Sequence, residues 1–275
     1  MRSARCVAIA MLAGVKRVPA LGKVYLVGAG PGAADLITLR GAALLQRADV
    51  VFYDALVHAD TLALAVRAKK ISVGKRAGAP STEQRFINRA LVEAGLKHET
   101  VVRLKGGDPM LFGRAQEELD ALLAAGIEVV VVPGVTAALA AAADLRVPLT
   151  QRGLSRSVTF VTARVAPGES QSGWCNAVAA SDTTALYMAA GQAPEISAHL
   201  LAAGLSPSTP VAIVENASLP DCRRISTTVA GLAQADAWGL SGPAIILVGE
   251  VFRQTIPAAQ TSTPEDGEEL RLHLA

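Results

Sequence analysis

The chain has 275 residues, a length that accommodates one large domain or two domains of modest size. Its 26 basic and 24 acidic residues give a formal net charge of +2. That balance excludes a general polyanion binder, because phosphate-dominated affinity requires a strong basic excess or a dense basic patch, so we expect no nucleic-acid partner. Hydrophobic residues make up 51% of the chain, which excludes disorder over its whole length.

The three cysteines, Cys6, Cys175 and Cys222, are scattered through the chain and show no spacing typical of metal ligands. This pattern predicts neither a disulfide framework nor a structural zinc site, and we expect no metal. A reducing, cytoplasmic compartment is the simplest interpretation of the cysteine usage. No apolar run reaches the ~18 residues of a membrane-spanning helix, so we expect no membrane partner.

The two ends of the chain differ in composition from the region between them. Two arginines precede an apolar run over residues 6–15, which loosely resembles a signal peptide, but two basic residues follow the run at once. We interpret residues 1–22 as a disordered leader or a start assigned too early, with an export signal as the alternative. Residues 256–275 are polar and acidic, which predicts a mobile tail.

Short apolar runs alternate with helical periodicity along residues 23–144. Alternation of this kind is typical of a largely parallel sheet flanked by helices, so it predicts an N-terminal α/β domain. The pattern restarts and predicts a second α/β domain over residues 145–255. The predicted strands are 23–27, 49–53, 70–73, 100–105, 127–132, 157–162, 184–188, 210–214, 224–229 and 244–248. The predicted helices are 38–46, one that starts at Ser81 and stops at Gly95, 116–125 and 193–203.

Three strands of the first domain end in turns rich in glycine and proline, at 28–32, 106–109 and 133–136. In an open α/β sheet, ligands bind outside the carboxyl ends of the strands. Glycine has no Cβ, so it lets a ligand come close to the backbone. Three such turns at one edge therefore predict a ligand that lies against the main chain.

The first of these turns also matches a dinucleotide fingerprint, with Gly28, Gly30 and Ala33 at the required spacing and Asp54 after the next strand. A nicotinamide cofactor is therefore one hypothesis, and a plain tight turn is another. Pro31 weakens the dinucleotide hypothesis, because proline removes an N–H donor that a pyrophosphate would use.

Five segments carry a further pattern by their order and spacing: VGAGPG (27–32), ADVVFYDALV (48–57), GKRAG (74–78), RLKGGDPMLFGR (103–114) and VVPGVTAALAAAADLRVPLT (131–150). Together they resemble the uroporphyrinogen-III C-methyltransferases of the tetrapyrrole methylase superfamily, and weaker likeness continues to about residue 254. The resemblance implies two α/β domains in tandem with a cofactor cleft between them. It also implies methylation of uroporphyrinogen III by S-adenosylmethionine at two pyrrole carbons, giving precorrin-1 and then precorrin-2.

The resemblance implies which residues contact S-adenosylmethionine, mostly through backbone groups. For Asp108 the alternative is a cap for the helix that follows it, and for Met188 it is a core position at a strand end. The implied contacts are Pro31, Gly106, Gly107, Asp108, Leu111, Thr136, Ala137, Met188, Ala217, Pro243 and Ala244.

The resemblance also implies residues for the chemistry. Asp54 matches the family residue proposed as proton acceptor, with a turn residue as the alternative. Lys75 matches the proposed proton donor, although we favour an anchor for a substrate carboxylate, because a lysine on a glycine loop suits anion binding. Arg76, Arg114 and Arg152 are predicted to bind the other substrate carboxylates. Arg103 and Lys105 are further candidates. For these two residues and for Arg114 and Arg152, a solvated surface charge is the default interpretation, and we rank Arg114 and Arg152 higher because they occupy matching motif positions.

The chain departs from the family pattern at several positions. Ala33 stands where an acidic residue is common, and Gln151 where histidine is common. Ala189 and Ala217 stand where glycine is common. If the backbone requires positive φ at either of these two positions, alanine costs on the order of 1 kcal/mol. None of the departures removes an implied catalytic group.

Other functions stay open at this point. The chain could be a sister methylase acting on a later corrin precursor, or a relative of the diphthine or rRNA type. A nicotinamide-dependent oxidoreductase and a non-catalytic sensing module are alternatives from other classes. The resemblance further implies a homodimer. No oxidase and chelatase half is recognised in the sequence, so we expect precorrin-2 to pass to a separate protein, with sirohaem, cobalamin or another tetrapyrrole as the end product.

Overall fold

The computed structural model describes residues 22–74, 84–164 and 173–255. The chain divides into two compact units at the junction between Thr136 and Ala137. The sequence-based boundary lies at residue 145, and the difference is one helix, Ala137–Leu145, which the structure groups with the second unit. Among the helices of the described ranges, none is long and apolar enough to cross a membrane.

The first unit is built on a five-stranded sheet in the order β3-β2-β4-β1-β5, in which every neighbouring pair is parallel. The strands are β1 (Lys23–Gly28), β2 (Val50–Tyr53), β3 (Lys69–Ser72), β4 (Thr100–Lys105) and β5 (Glu128–Val132). The helices are α1 (Leu39–Arg47), α2 (Ala59–Ala63), α3 (Gln84–Gly95) and α4 (Ala115–Ala124). The predicted largely parallel sheet is thereby confirmed for this unit.

The two faces of this sheet are covered by different helices, because successive strand residues point to opposite faces. On one face, Leu44 and Leu45 of α1 pack against Val51 and Leu104. On the other face, α3 and α4 pack through Ile87, Leu91 and Leu122 against Leu26, Phe52 and Val101. Thr38 caps α1, since its Oγ1 accepts a hydrogen bond from the Gly41 amide at 3.1 Å.

The central strands β1 and β4 lie side by side, and the chain leaves them in opposite directions. From β1 it passes through α1 to β2, and from β4 it passes through α4 to β5. Because α1 and α4 cover opposite faces, the chain continues to opposite sides of the sheet after β1 and after β4. Such a switch point at the carboxyl edge is where open α/β sheets bind ligands.

The second unit is built on a five-stranded sheet in the order β6-β7-β10-β8-β9. Only the β6–β7 pair is parallel, so the sheet is mainly antiparallel, unlike the first. The strands are β6 (Val158–Thr162), β7 (Thr183–Tyr187), β8 (Pro210–Glu215), β9 (Arg223–Thr228) and β10 (Ala244–Gly249). The helices are α5 (Ala137–Leu145), α6 (Trp174–Ala179) and α7 (Ala193–Ala202), with a further 3-10 segment at Ala230–Trp238.

The antiparallel pairing of β8 with β9 follows from the short connection between them. The segment 216–222 joins the two strands, whereas a parallel crossover needs about a dozen residues or more. The antiparallel pairing of β10 with β7 and β8 has no such local cause, because long segments separate β10 from both strands.

Helix α5 is absent from the sequence-based expectations because its sequence, AALAAAADL, has no polar face. Alanine has the highest helix propensity, but it supplies no apolar periodicity by which an amphipathic helix is recognised. Its buried residues, Ala138, Ala140 and Ala141, contribute to the core of the second unit.

Candidate active site

Three glycine-rich loops join at the switch point of the first unit, after β1, β4 and β5. The Gly107 amide donates a hydrogen bond to the Gly30 carbonyl at 2.7 Å, and the Gly30 amide donates to the Gly107 carbonyl at 3.3 Å. The Gly134 amide donates to Oδ2 of Asp108 at 2.9 Å. We call the three joined loops, residues 28–32, 106–109 and 133–136, the glycine platform.

The glycines of the platform serve two different purposes. A Cβ on Gly28 would lie 2.6 Å from Cα of Gly134 and 2.7 Å from the carbonyl oxygen of Gly107, which is closer than any side chain can come. Gly107 has φ +66, and a Cβ there would meet only Cα of Thr136, at 3.9 Å. Gly28 and Gly134 therefore allow the loops to pack, whereas Gly107 leaves open space in front of the backbone.

Asp108 connects two loops of the platform and does not cap a helix. Its Oδ1 accepts a hydrogen bond from the Met110 amide at 2.8 Å, while Oδ2 accepts the Gly134 amide. Helix α4 begins only at Ala115, after Arg114, so the helix-cap alternative is wrong. A carboxylate accepts up to about four hydrogen bonds, so Asp108 keeps acceptor capacity for a ligand.

Asp54 lies directly after β2 and contacts the same platform. Its Oδ2 accepts a hydrogen bond from the Gly106 amide at 3.2 Å, and its Oδ1 accepts the Leu56 amide at 3.1 Å. Its side chain is 25% exposed, and Nη1 of Arg103 lies 4.0 Å from Oδ2. The hydrogen bond from Leu56 makes Asp54 a turn residue, as the alternative interpretation of Asp54 expected. Its carboxylate is nevertheless partly exposed to solvent beside the platform.

A buried cluster of charges lies between β4 and helix α4, next to Asp54. Arg103 and Lys105 are each 4% exposed, so the interpretation as solvated surface charges is wrong. Both bind the fully buried Glu118, with Nε of Arg103 at 3.0 Å from Oε1 and Nζ of Lys105 at 2.9 Å from Oε2. Burial, reinforced by the Arg103 charge, lowers the pKa of Lys105 below its usual value.

The role of Glu118 was missed from the sequence, although one signal for it exists. Ala115 and Leu122, the other buried residues of α4, lie three and four positions away from Glu118, so the acid stands within the apolar stripe. An acid at such a position predicts a buried partner, because ionised carboxylates are buried only when paired.

Of the predicted substrate-binding residues, Arg114 and Arg152 lie in the described part of the chain, and both are exposed. Arg114 is 59% exposed and binds Glu117 through two bonds, from Nε at 2.7 Å and from Nη2 at 2.8 Å. Arg152 is exposed in the turn that is closed by the Gln151–Ser155 bridge. Lys75 and Arg76 lie outside the described residues.

A second cluster of predicted cofactor residues forms at one edge of the second sheet. Leu186, two residues before Met188, pairs with Ile246, and Glu215 pairs with Ala244. The amide of Asn216, which precedes Ala217, donates to the Pro243 carbonyl at 2.9 Å. The chain at Ala217 therefore lies beside Pro243 and Ala244, and Met188 follows the end of β7, the strand that pairs with β10. The amide of Ala138, next to Ala137, donates to the Tyr187 hydroxyl at 3.3 Å.

The residues of this cluster that have a left-handed backbone conformation, with positive φ, are not the two alanines. Ala189 has φ −107, and Ala217 does not have positive φ, so the predicted cost of alanine at these two positions does not arise. Met188 has φ +55 and Asn216 has φ +53 instead. Met188 is 49% exposed, so the interpretation as a core residue is wrong.

No group of three or more histidine, cysteine or acidic side chains that could hold a metal ion occurs within the described ranges. The first unit offers a backbone-lined platform at a strand switch point, with a carboxylate beside it. Fold and site thus define a two-unit α/β protein with a ligand site formed largely by the main chain.

The comparisons identify the family within this class. The family described as Tetrapyrrole (Corrin/Porphyrin) Methylases matches residues 23–233, and the chain belongs to this family. The uroporphyrinogen-III C-methyltransferase of Pseudomonas aeruginosa is 45% identical over 237 residues, which are 86% of this chain and 96% of that protein. The crystal structure of uroporphyrin-III C-methyl transferase from Thermus thermophilus, complexed with S-adenosylhomocysteine, has a TM-score of 0.74 and 40% identity, over 85% of this chain and 100% of that one.

Longer relatives match over part of their length only. Siroheme synthase 1 of Klebsiella pneumoniae is 47% identical over 233 residues, which are 84% of this chain and 49% of that protein. The chain therefore spans about half the length of the siroheme synthase it matches.

Proposed function

We propose that this protein transfers methyl groups from S-adenosylmethionine to two pyrrole carbons of uroporphyrinogen III in turn, giving precorrin-1 and then precorrin-2. The observation that carries the proposal is the match to a uroporphyrinogen-III C-methyltransferase over 86% of this chain and 96% of that relative. The Thermus thermophilus structure with S-adenosylhomocysteine supports the choice of methyl donor.

The residues of the site fit such a donor. S-Adenosylmethionine supplies an electrophilic sulfonium methyl group when it is bound. Its ammonium group and ribose hydroxyls need hydrogen-bond acceptors. The Asp108 carboxylate can accept further hydrogen bonds, and the open space at Gly107 lets a ligand approach the backbone. The residues proposed to hold the donor are Pro31, Gly106, Gly107, Asp108, Leu111, Thr136, Ala137, Met188, Ala217, Pro243 and Ala244.

We assign the proton transfer to Asp54. A pyrrole carbon that gains a methyl group leaves its ring system with a proton to lose, and a carboxylate at a strand's carboxyl end is suited to accept it. The Gly106 and Leu56 amides hold the Asp54 carboxylate in place, and its 25% exposure leaves it accessible. The platform orients the reactants, since alignment for in-line displacement is a large part of the catalytic task.

The proposed substrate anchors are Arg76, Arg114 and Arg152, together with Lys75. Uroporphyrinogen III carries carboxylates around its rim, and guanidinium groups bind carboxylates through paired hydrogen bonds. In Arg114, Nε and Nη2 each donate one hydrogen bond to Glu117, so a substrate carboxylate would use the two N–H donors on Nη1 and the second one on Nη2. Lys75 acts as an anchor in this proposal, with proton donation as the alternative role.

The direct test is incubation of the purified protein with uroporphyrinogen III and S-adenosylmethionine under reducing conditions. Mass spectrometry should detect tetrapyrroles that have gained one and then two methyl groups, with S-adenosylhomocysteine as co-product. Omission of S-adenosylmethionine is the control. S-Adenosylhomocysteine binding without any mass gain would contradict this substrate and favour a methylase of a later corrin precursor or a sensing module. NAD binding without S-adenosylhomocysteine binding would favour the oxidoreductase.

We also propose that the protein is a cytoplasmic homodimer, on the basis of the family resemblance and the cysteine usage. Sedimentation of the purified chain measures the first property, and fractionation of cells that produce it measures the second. A monomer at micromolar concentration would contradict the dimer.

A further inference from the structure

A buried carboxylate stands at the end of β8, beside the proposed cofactor residues of the second unit. Glu215 is 2% exposed and pairs across the sheet with Arg223, the first residue of β9. Nη1 of Arg223 lies 2.9 Å from Oε2 of Glu215. The guanidinium side chain is 47% exposed, so the pair is open to solvent on one side only.

The two partners bind one turn, residues 238–242, through opposite backbone groups. Oε1 of Glu215 accepts hydrogen bonds from the amides of Ser241 and Gly242, both at 2.6 Å. Arg223 donates to the carbonyls at the start of the turn, from Nη2 to Trp238 at 2.7 Å and from Nη1 to Gly239 at 3.1 Å. The carboxylate thus holds amides and the guanidinium holds carbonyls of the same turn.

Each half of this arrangement has a physical reason. The Trp238 carbonyl ends the 3-10 segment Ala230–Trp238, and a cation is favourable at the carboxyl end of a helical segment. Burial acts to raise the pKa of Glu215, but the Gly242 and Ser241 amides and the Arg223 charge outweigh burial, so the pKa is lowered. The carboxylate is therefore ionised at neutral pH and holds both amides strongly.

The turn leads directly into the residues proposed to contact the methyl donor. Pro243 and Ala244 follow Gly242, and the amide of Asn216, the residue after Glu215, donates to the Pro243 carbonyl at 2.9 Å. The pair therefore determines where the chain enters the segment 243–244.

We propose that Glu215 and Arg223 are a positioning pair for S-adenosylmethionine, which hold the turn 238–242 so that Pro243 and Ala244 can contact it. This inference rests on the proposed function, because that function assigns the methyl donor to this site. Neither residue touches the donor in this proposal; both act through the turn.

The test uses Arg223→Gln in the full chain, which removes the charge from a partly exposed side chain. We expect the Kd for S-adenosylhomocysteine and the KM for S-adenosylmethionine each to rise about tenfold, since charge-assisted hydrogen bonds to the turn are lost. The kcat at saturating donor and the KM for uroporphyrinogen III should stay within about twofold, because the acceptor is not bound by this turn. Arg223→Lys, which keeps the charge but cannot span both carbonyls, should recover part of the affinity.

The matched control is Arg253→Gln. Arg253 is 56% exposed and binds Glu250 through two bonds, at the other end of β10. This variant should bind S-adenosylhomocysteine as the wild type does. An unchanged Kd in Arg223→Gln, or equal changes of the Kd in both variants, would overturn the positioning role. The proposed methyl donor would still stand in that case, provided that the wild type binds S-adenosylhomocysteine. Absence of S-adenosylhomocysteine binding in the wild type would overturn both.

Discussion

The Asp108 carboxylate accepts a hydrogen bond from the Gly134 amide, with 2.9 Å between Oδ2 and the nitrogen, and so connects the loops after two strands of the parallel sheet. The other carboxylate oxygen holds the Met110 amide. Asp108, which is proposed to contact the cofactor, therefore also stabilises the glycine platform by connecting two of its loops. The two roles make different predictions for a substitution.

Asp108→Ala should weaken S-adenosylhomocysteine binding by roughly 1–3 kcal/mol, because an acceptor is lost and the loops that line the site are released. Calorimetric titration measures this affinity, and urea unfolding measures the accompanying loss of stability. Asp120→Ala, which removes an exposed acid on α4, is the control. Reduced stability with wild-type affinity would leave Asp108 only its structural role.

Asp54→Asn should lower the single-turnover rate of methyl transfer by about 10²–10⁴-fold, because it removes the proposed general base while preserving the shape of the side chain. The Kd for S-adenosylhomocysteine should hardly change, since the proposed donor contacts come from other residues. Rapid-quench measurement gives the rate, with Asp60→Asn, an exposed acid on α2, as the control. A wild-type rate in Asp54→Asn would reduce Asp54 to a turn residue.

Glu118→Gln should lower the free energy of unfolding by about 3–5 kcal/mol, because it leaves the charges of Arg103 and Lys105 buried without a counter-charge. Glu93→Gln removes the exposed partner of Arg89 on α3 and should cost about 1 kcal/mol or less. Urea unfolding of both variants provides the comparison. Similar small losses in the two variants would argue against a structural role of the buried cluster.

The contribution of Glu215 to stability should depend on pH in the acidic range. Its pKa is lower in the folded state than the ordinary value of 4.5, so its contribution is fully present above pH 4.5. The contribution is lost as the pH falls through the folded-state pKa. The difference in unfolding free energy between wild type and Glu215→Gln should therefore shrink on acidification below pH 4.5, the ordinary pKa of this group. A difference that is constant over a series of unfolding curves from pH 7 to about pH 3 would contradict the assignment.

S-Adenosylhomocysteine should raise the melting temperature, and NAD at the same excess should leave it unchanged. A ligand at a hundredfold excess over its Kd stabilises the folded state by about 2.7 kcal/mol through mass action. Differential scanning calorimetry at matched ligand concentrations measures the effect. The opposite result, a shift with NAD alone, would remove the methyltransferase proposal.

Much of the local structure could be predicted from the sequence. All ten strands of the described residues were expected within one residue at each end, as at 100–105, where the apolar run stops at two glycines. Glycine and proline end such strands through their own backbone conformation, so the residues next to a strand suffice to locate its ends. The three loops of the glycine platform and the family likeness of their motifs were recognisable for the same reason.

The sequence by itself thus determined the ten strands, four of the seven helices of the described residues, the α/β class and the family, because apolar periodicity, glycine punctuation and motif order are properties of short stretches. Only the tertiary structure decided that Arg103 and Lys105 are buried on Glu118. It likewise decided that the second sheet is mainly antiparallel, and that Glu215 and Arg223 hold the same turn. The burial of a charge, and the direction in which strands distant in the chain pair, as β10 does with β7 and β8, depend on which segments come to lie side by side, and that proximity arises only when the chain folds.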